Sequence, residues 1–326
     1  MKKTIDIFLK NISKKTALVV GDIMLDSYFF GDTSRKSPEA PVKIMNIKAK
    51  KNKIGGAGNV AYNLQKLGVK TFLFGLIGDD QNGKKIISIL KKNKIATNGI
   101  LKTNNITTSK TRIINDDNNQ LLRIDEENIN YKQSKEKKQL LKLITAKANL
   151  ADLIIIQDYN KGLLSEKFIE QILLIGKKYR TPIMVDPKEI NFLNYKNIKL
   201  IKPNLLEAEK ILNKKIKLNN TSLEKDLKKI TKKIKCEFIM LTLGKHGLCI
   251  YGNNYFYREK GIRKKITDVT GAGDTVICLA SLGFCENLAI DKIAKISNYT
   301  GFLSCQNIGT NTIYSDNFKK KLKDVF

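Results

Sequence analysis

Short apolar runs alternate with amphipathic segments along most of the chain. The runs predict buried strands at residues 17–20, 71–75, 153–156, 183–185, 200–201 and 238–241. Their near-continuous hydrophobicity is typical of parallel strands that are covered on both faces. Between them, the spacing of apolar positions predicts helices at residues 60–67, 84–92, 135–148, 166–178, 205–212 and 223–234. This alternation favours a doubly wound α/β fold.

Two stretches, residues 28–47 and 108–125, follow a shorter alternating pattern and predict strands of a small accessory sheet. Residues 116–119, Asp-Asp-Asn-Asn, have the composition of a hairpin turn. No internal repeat, low-complexity segment or linker divides the chain. We therefore expect one domain over residues 1–326.

The formal net charge of +29 raises the question of nucleic-acid binding. Arginine, which reads phosphates and base edges best, occurs only six times among 60 basic residues, and lysine supplies the rest from end to end. Together with the abundance of Asn and Ile, this pattern indicates a compositional bias. We expect no specific nucleic-acid partner.

The cysteines, the start of the chain and its apolar runs all point to a cytoplasmic protein. The five cysteines are scattered without Cys-x-x-Cys spacing, which predicts reduced thiols and neither a disulfide frame nor a zinc site. No run of about 18 apolar residues is present, and the start of the chain lacks the apolar region of a signal peptide. Membrane association is therefore not expected.

The segment Asp268-Val-Thr-Gly-Ala-Gly-Asp274 carries the clearest chemistry, because it precedes an apolar helical stretch. Glycines at a helix start let unpaired backbone N–H groups approach an anion such as phosphate. A carboxylate beside such a site would repel the anion. Asp274 is therefore expected to be a base that takes a proton from a hydroxyl attacking the phosphoryl group, which is kinase chemistry.

This segment, together with Gly55-Gly-Ala-Gly-Asn59, resembles the two signatures of the PfkB/ribokinase family of sugar kinases. The resemblance implies a ribokinase-like fold, in which a doubly wound, mainly parallel sheet has helices on both faces and a small β-sheet forms a lid over the sugar. It also implies that Asp274 is the catalytic base and that Gly271, Ala272 and Gly273 form an anion hole. The residues implied to bind substrate are Gly55, Gly56, Asn59 and Asp26, the last placed just past the first strand.

The resemblance extends to the nucleotide site and implies ATP and Mg²⁺ as cofactors. Asn204 and Glu207 match the family's Asn-x-x-Glu motif, which would organise Mg²⁺ through water, although the same pair is also a good helix cap. The positions implied to bind ATP are Asn204, Glu207, Thr242, Gly244, Gly247 and Asn298. A requirement for a monovalent cation is left open.

A different phosphate-binding motif is nearly spelled by residues 78–85, Gly-Asp-Asp-Gln-Asn-Gly-Lys-Lys. A P-loop needs Ser or Thr at the last position to bind Mg²⁺, and Lys85 cannot do this. We expect Gly78, Asp80 and Gly83 to be structural.

Finer features resemble the family members that phosphorylate the C1 hydroxyl of D-glycero-β-D-manno-heptose 7-phosphate to the 1,7-bisphosphate, a lipopolysaccharide-core precursor. They lie at residues 34–42, 120–125, 158–162 and 186–188. Positive charge for the sugar phosphate and the transferred group is expected from Arg35, Arg123, Lys161 and Lys188. The alternatives are a kinase of another sugar, sugar phosphate or nucleoside, and a basic binding protein that kept the fold without catalysis.

The resemblance also implies partners. We expect a homodimer that binds a small sugar phosphate. Many relatives carry a fused nucleotidyltransferase, and this chain stops at Phe326. A separate nucleotidyltransferase is therefore expected to act on the product.

Overall fold

The computed structural model describes residues 2–128, 135–264 and 266–306 together with Leu322. The helices are α1 (Lys2–Ile12), α2 (Ala57–Lys66), α3 (Gln81–Lys92), α4 (Lys135–Ala148), α5 (Glu166–Tyr179), α6 (Leu205–Leu212), α7 (Asn220–Ile234), α8 (Ala272–Cys285) and α9 (Ile290–Ser304). The strands are β1 (Thr16–Gly21), β2 (Ile23–Asp32), β3 (Asn46–Gly56), β4 (Lys70–Gly78), β5 (Ile100–Thr103), β6 (Ser109–Asn115), β7 (Gln120–Glu126), β8 (Leu153–Gln157), β9 (Ile183–Asp186), β10 (Leu200–Ile201), β11 (Phe238–Thr242), β12 (Leu248–Gly252) and β13 (Tyr255–Glu259). Each strand and helix predicted for the main α/β body coincides with an observed element to within three residues.

In the described part of the chain, the larger sheet has nine strands in the order β13-β12-β11-β10-β9-β8-β1-β4-β5. The strands from β11 to β5 in this order are parallel, and β12 and β13 add an antiparallel hairpin at one edge. The strand order reverses at β1. Ligands of open α/β sheets bind outside the carboxyl ends of the strands at such a reversal, so the ends of β1 and β8 mark the place to look for a site.

Both faces of this sheet are covered, as the apolar runs predicted. In β1, Ala17 and Val19 pack on one side with α1, α2, α3, α8 and α9, whereas Leu18 and Val20 pack on the other with α4, α5 and α7. Successive residues of a strand point to opposite faces, so a strand buried on both faces has to be apolar throughout. The sequence therefore has the expected doubly wound α/β fold.

The described residues also form a four-stranded second sheet in the order β3-β2-β6-β7, which we call the lid. Its strands β6 and β7 enclose the predicted turn at 116–119, where Asn119 N donates to Asn115 Oδ1 over 2.8 Å. The strands predicted within residues 28–47 have other bounds in the structure. β2 starts earlier, at Ile23, and β3 ends later, at Gly56. The lysines of β3 give it the composition of a loop, although charged side chains are common on edge strands.

The lid joins the larger sheet at one end. A single residue, Asp22, separates β1 from β2, and α2 follows β3 directly. Within the described residues, no helix is both long and apolar enough to cross a membrane. All five cysteines are free thiols, and four of them are buried.

Candidate active site

Asp274 lies in the first turn of α8, where only 2% of its surface is exposed. The residue before the helix, Gly271, has a φ of 78°, a left-handed conformation that favours glycine. Ala272 N donates to Val269 O over 3.2 Å, so this amide of the predicted anion hole is already engaged. Helix geometry leaves the N–H groups of Gly273 and Asp274 without an intrahelical acceptor. These two groups and the helix dipole favour an anion here.

Three side chains donate hydrogen bonds to the Asp274 carboxylate. Asn59 Nδ2 donates to Oδ2 over 2.7 Å, while Tyr159 Oη and Gln157 Nε2 both donate to Oδ1, over 2.8 and 3.0 Å. They come from α2 and from the end of β8, which are remote from α8 in sequence. The carboxylate is therefore held in one orientation by two other elements of the fold.

The position of Asp274 changes its proton affinity. Burial raises the pKa of Asp274 from its ordinary value of 3.8 to about 7, helped by the negative charge of Asp186. The hydrogen bonds from Asn59 and Tyr159 and the charge of Lys202 oppose this rise. A carboxylate with a pKa near neutrality can both take and return a proton at physiological pH.

A buried ion pair lies against the start of α8. Lys202 Nζ and Asp186 Oδ1 are 2.9 Å apart, and Lys202 is 3% exposed. A Cβ added at Gly273 would lie 3.4 Å from Lys202 Nζ, so the ammonium group is next to the glycine turn. Gln157 Nε2 also donates to Asp186 Oδ2 over 3.0 Å, which ties this pair to Asp274. Among the described residues, the side-chain amide oxygen of Gln157, Oε1, has no hydrogen-bond partner.

Asp26, which was expected just past the first strand, lies inside β2 of the lid. It is 4% exposed, and its Oδ1 accepts a hydrogen bond from Arg112 Nη1 over 2.7 Å. A Cβ at Gly55 would collide with Asp26 Oδ2, which explains the need for glycine at that position. The carboxylate therefore lies in a tight setting between β3 and β6.

The two glycine motifs meet in space. Gly56, the last residue of β3, has a φ of 59°, and a Cβ there would collide with the carbonyl oxygen of Asp22. Its conformation starts α2 so that Asn59, buried in the first turn, reaches Asp274. One hydrogen bond thus joins motifs that are 215 residues apart in sequence.

One face of the lid carries a concentration of positive charge. Residues paired across neighbouring strands share a face of the sheet. Asp26 on β2 is paired with Lys53 and Lys110, and Lys110 is paired with Asp125. In the next row, Tyr28 on β2 is paired with Lys51 and Arg112, and Arg112 is paired with Arg123. This cationic lid face therefore carries Lys51, Lys53, Lys110, Arg112 and Arg123 beside Asp26 and Asp125. Burial lowers the pKa of Lys53 and of Lys110, because their charged forms are poorly solvated on this face. An anion bound here would supply the missing counter-charge.

The cations predicted from sequence lie in three different places. Arg123 is on the cationic lid face, where it makes a forked contact with Asp125 at 2.8 and 3.0 Å. Lys161 and Lys188 are near the ends of β8 and β9 and pair with Glu127 and Glu207, each over 2.6 Å. Arg35 is exposed in the loop after β2, and β2 itself ends at Asp32, six residues or about 20 Å of strand beyond Asp26.

The predicted nucleotide residues gather where β10 and β11 end. Asn204 and Glu207 form a complete capping box on α6. The backbone of Asn204 forms a parallel β-bridge with Thr242 at the end of β11. The turn that follows contains Gly244 and Gly247, both with positive φ. Asn298, on α9, donates to the carbonyl oxygen of Lys260 over 2.9 Å. The structure brings the first five together and places Asn298 on a separate helix.

Residues 78–85 serve a structural purpose, as expected. Asp80 caps α3 by accepting a hydrogen bond from Gly83 N over 2.7 Å, and it also accepts one from Thr107 N. The helix start is therefore occupied by the chain's own carboxylate.

The sequence interpretation missed four residues of the site, namely Arg112, Gln157, Tyr159 and Lys202. Gln157, Tyr159 and Lys202 are polar residues directly at the end of buried strands, which is a usable signal in an α/β sheet. Arg112 occupies an alternate position of a lid strand in a chain with few arginines. That signal could have been read only once the strand pairing was known.

Comparison with known proteins identifies the family of this chain. Residues 14–317 match the pfkB family of carbohydrate kinases. The protein named "Bifunctional protein HldE" of Helicobacter pylori (strain G27) is 38% identical over 286 residues, which cover 87% of this chain and 61% of the relative. Its namesake in Aliarcobacter butzleri (strain RM4018) is 34% identical over 306 residues, 94% of this chain and 64% of the relative. The chain thus spans about three fifths of the length of these relatives.

Solved structures share the fold. Phosphofructokinase-2 from Escherichia coli in complex with substrates and products superposes with a TM-score of 0.81 at 18% identity, over 95% of this chain and 98% of that one. A putative ribokinase from Agrobacterium tumefaciens gives a TM-score of 0.75 at 17% identity, over 95% and 97%. The chain belongs to the pfkB family of carbohydrate kinases.

Proposed function

We propose that this chain transfers the γ-phosphoryl group of ATP to the C1 hydroxyl of D-glycero-β-D-manno-heptose 7-phosphate. The observation that carries the choice of a phosphorylated sugar is the cationic lid face beside Asp26. Five cations against two carboxylates leave this face with a net charge of +3. Arg112 and Lys53 also interact electrostatically with Asp268, at the head of the segment that leads to Asp274. Sugar hydroxyls alone would not require so much charge, whereas a phosphate does.

In this proposal Asp26 and Asn59 orient the sugar, together with the backbone at Gly55 and Gly56. A carboxylate can accept from two adjacent hydroxyls. Burial raises the pKa of Asp26, and Arg112 opposes this rise and aligns the carboxylate. The side-chain amide oxygen of Gln157, Oε1, which has no partner among the described residues, offers one more acceptor near Asp274. The phosphate at the far end of the sugar lies on the cationic lid face, with Arg123 and Lys110 as its contacts.

Asp274 accepts the proton of the C1 hydroxyl as this oxygen attacks the γ-phosphorus. The O–H bond breaks, a new O–P bond forms, and the bond from the γ-phosphorus to the bridging oxygen of ADP breaks. The N–H groups of Gly273 and Asp274 and the ammonium of Lys202 hold the charge that builds on the transferred group. Gly271 shapes this turn, and Ala272 contributes no free amide because it donates to Val269 O.

The ATP site of the proposal lies at the ends of β10 and β11, with the phosphates near Asn204, Thr242 and Gly244. Gly247 allows the turn to close, and Asn298 lies toward the base. Lys188, which contacts Glu207, can reach the phosphates by exchanging that partner.

The side chains fit magnesium only in part. Both oxygens of Glu207 are engaged, one by Asn204 N and one by Lys188 Nζ. Among the described residues, no group of three or more His, Cys, Asp and Glu could hold a metal ion. This donor set suits Mg²⁺ that is held by nucleotide phosphates and water, with Asn204 and Glu207 contacting it through water. When bound, Mg²⁺ neutralises charge between the phosphates.

The test is a substrate screen with ATP and Mg²⁺, in sodium and in potassium buffers. Heptose 7-phosphate, fructose 6-phosphate, free mannose and a nucleoside are compared by ADP release, and ³¹P NMR identifies an anomeric phosphate in the product. Heptose 7-phosphate should be preferred. Equal use of free sugars would reject the phosphorylated substrate and leave the kinase chemistry intact.

The base assignment has its own test. Asp274→Asn should bind ATP normally and lose at least about 10²-fold in turnover, because general-base catalysis is removed. Near-normal kcat in this variant would reject the mechanism.

A further inference from the structure

The hydrogen bonds to Asp274 leave one position for an incoming hydroxyl. An ionised carboxylate has about four lone-pair positions. Two on Oδ1 are filled by Tyr159 Oη and Gln157 Nε2, and one on Oδ2 is filled by Asn59 Nδ2. The remaining position is on Oδ2.

The backbone that carries Tyr159 is fixed on both sides. Asp22 Oδ2 accepts hydrogen bonds from Tyr159 N and Lys161 N, over 2.9 and 3.0 Å. Asp158 Oδ1 accepts one from Asn160 N over 2.7 Å, and the other oxygen of Asp158 is held by Asn191 and by the hydroxyl of Tyr195. The backbone hydrogen bonds of this loop therefore hold the Tyr159 hydroxyl in position against Asp274.

The ring of Tyr159 also faces the proposed nucleotide site. Lys188 Nζ lies 5.5 Å from the ring centroid and pairs with Glu207, which caps the helix beginning after Asn204. Tyr159 thus stands between Asp274 and the residues proposed to organise the ATP phosphates. Its ring contact does not need the hydroxyl, so the two interactions can be separated by removing one atom.

We propose that Tyr159 is a positioning residue that engages Oδ1 of Asp274, so that the acceptor hydroxyl meets Oδ2. This inference rests on the proposed role of Asp274 as the base. Burial raises the pKa of Tyr159 well above its ordinary value, so its hydroxyl stays protonated and can only donate to the carboxylate. A donor stabilises the ionised form of Asp274 relative to the protonated form.

Loss of the Tyr159 hydroxyl should therefore make Asp274 ionise at higher pH. The other charged or titratable groups that face Asp274 and Tyr159 remain in place when only this oxygen is removed; they are Asp22 between β1 and β2, Asp186 on β9, Lys202 after β10, Cys278 on α8, Asp26 on β2 and Lys188 after β9. The change isolates the one hydrogen bond.

The experiment compares Tyr159→Phe with Tyr195→Phe. Tyr195 is a matched control, because it is fully buried and its hydroxyl donates to a buried aspartate, Asp158, over 2.7 Å without contacting Asp274. The pH dependence of kcat/KM reports essential groups of the free enzyme, and the same acceptor sugar is used throughout so that its own ionisation cancels. In Tyr159→Phe the acid limb should move up by about one pH unit. In Tyr195→Phe it should stay at the parent position, because Asn191 Nδ2 still donates to the same oxygen of Asp158 and holds the loop in place. KM for ATP should be unchanged in both variants.

An acid limb that stays in place or moves down in Tyr159→Phe would overturn the inference. If Tyr159→Phe does not fold, 3-fluorotyrosine incorporated at position 159 is the second variant. It is a stronger donor of nearly the same size and should move the acid limb down, and an unmoved limb would again overturn the inference. Asp274→Asn separates the two levels, since an active Asp274→Asn enzyme rejects the base itself, whatever Tyr159 does.

Discussion

Arg112 Nη1 and Asp26 Oδ1 are 2.7 Å apart, and the two side chains are only 10% and 5% exposed between β6 and β2. A buried charge without a partner is strongly unfavourable, so each residue depends on the other. The pair places an oriented carboxylate and a cation side by side at the base of the lid. Hydroxyls and a phosphate could thus be bound within one short stretch of the sheet.

The first prediction concerns this pair. Arg112→Met keeps most of the side-chain length and removes the charge. KM for the sugar phosphate should rise by about 10- to 150-fold, because Asp26 loses the charge-assisted contact, worth about 1.5–3 kcal/mol, that aligns it for the sugar hydroxyls. KM for ATP should change little. Steady-state kinetics with each substrate varied in turn measure both effects.

Stability provides the control for Arg112→Met. Breaking a buried pair destabilises by about 3–5 kcal/mol because Asp26 is left unpaired. The double variant Arg112→Met/Asp26→Asn should recover much of the lost Tm and none of the lost sugar affinity. Recovery of both would mean that Arg112 acts only through the fold.

The second prediction compares two arginines of the lid. Arg123→Ala should raise KM for the sugar phosphate by about 10- to 150-fold, because Arg123 lies opposite Arg112 on the cationic lid face. Arg35→Ala removes an exposed arginine beyond the end of β2 and should have a smaller effect. Equal effects of the two substitutions on KM would contradict a phosphate position beside Arg112.

The third prediction concerns pH and stability. The folded-state pKa of Asp274 is about 7 against an ordinary value of 3.8, so between these values the unfolded chain has released a proton that the folded chain retains. The free energy of unfolding therefore falls by up to about 1.4 kcal/mol per pH unit as pH rises through this window. Asn at this position does not titrate. The Tm of Asp274→Asn minus that of the parent should grow from pH 5 to pH 8 in thermal unfolding.

Two other carboxylates serve as a positive and a negative control for this pH dependence of Tm. Burial and the charge of Asp158 raise the pKa of Asp22 to about 6, so Asp22→Asn should show the same trend, complete about one pH unit lower. The hydrogen bond and charge of Lys102 lower the pKa of Asp79, so Asp79→Asn should show no growth in Tm difference over this range. A flat Asp274→Asn difference would mean that the carboxyl is ionised throughout.

The fourth prediction separates capping from nucleotide binding. Asn204 caps α6 and Asn219 caps α7 in the same way, each side chain accepting a backbone N–H over 2.9 Å. Both Ala variants should lose about 1 kcal/mol of stability. Only Asn204→Ala should raise KM for ATP and the Mg²⁺ concentration needed for turnover. If it behaves like Asn219→Ala in both respects, Asn204 is a cap alone.

The main sheet could be predicted from sequence because its strands are buried on both faces and read as uninterrupted apolar runs. The bounds of the lid strands were predicted less accurately. β3 combines charged and apolar residues, and β2 begins at Ile23, only one residue after β1 ends. Edge strands in contact with solvent keep no strict pattern, so their limits depend on pairing that a single sequence does not reveal.

The same limit applied to the site. Asp274 and Asn59 could be found because glycine turns at helix starts have a local signature. Arg112 could not, because its significance arises from the register of β6 on β2, which brings it beside Asp26. Tyr159 and Gln157 act through long-range hydrogen bonds to Asp274, 115 and 117 residues away.

The way the lid is attached determines how it can move. The starts of β2 and β6 and the ends of β3 and β7 all lie at one end of this sheet, where Gly56 packs on Asp22. If the lid rotates about this end, Asp26 and Gly55 lie near the axis and would be displaced least, whereas the 116–119 turn at the opposite end would be displaced most. The distance from Asp26 to Asp274 would then change little on rotation, and the far end of the lid would adjust to the length of the sugar.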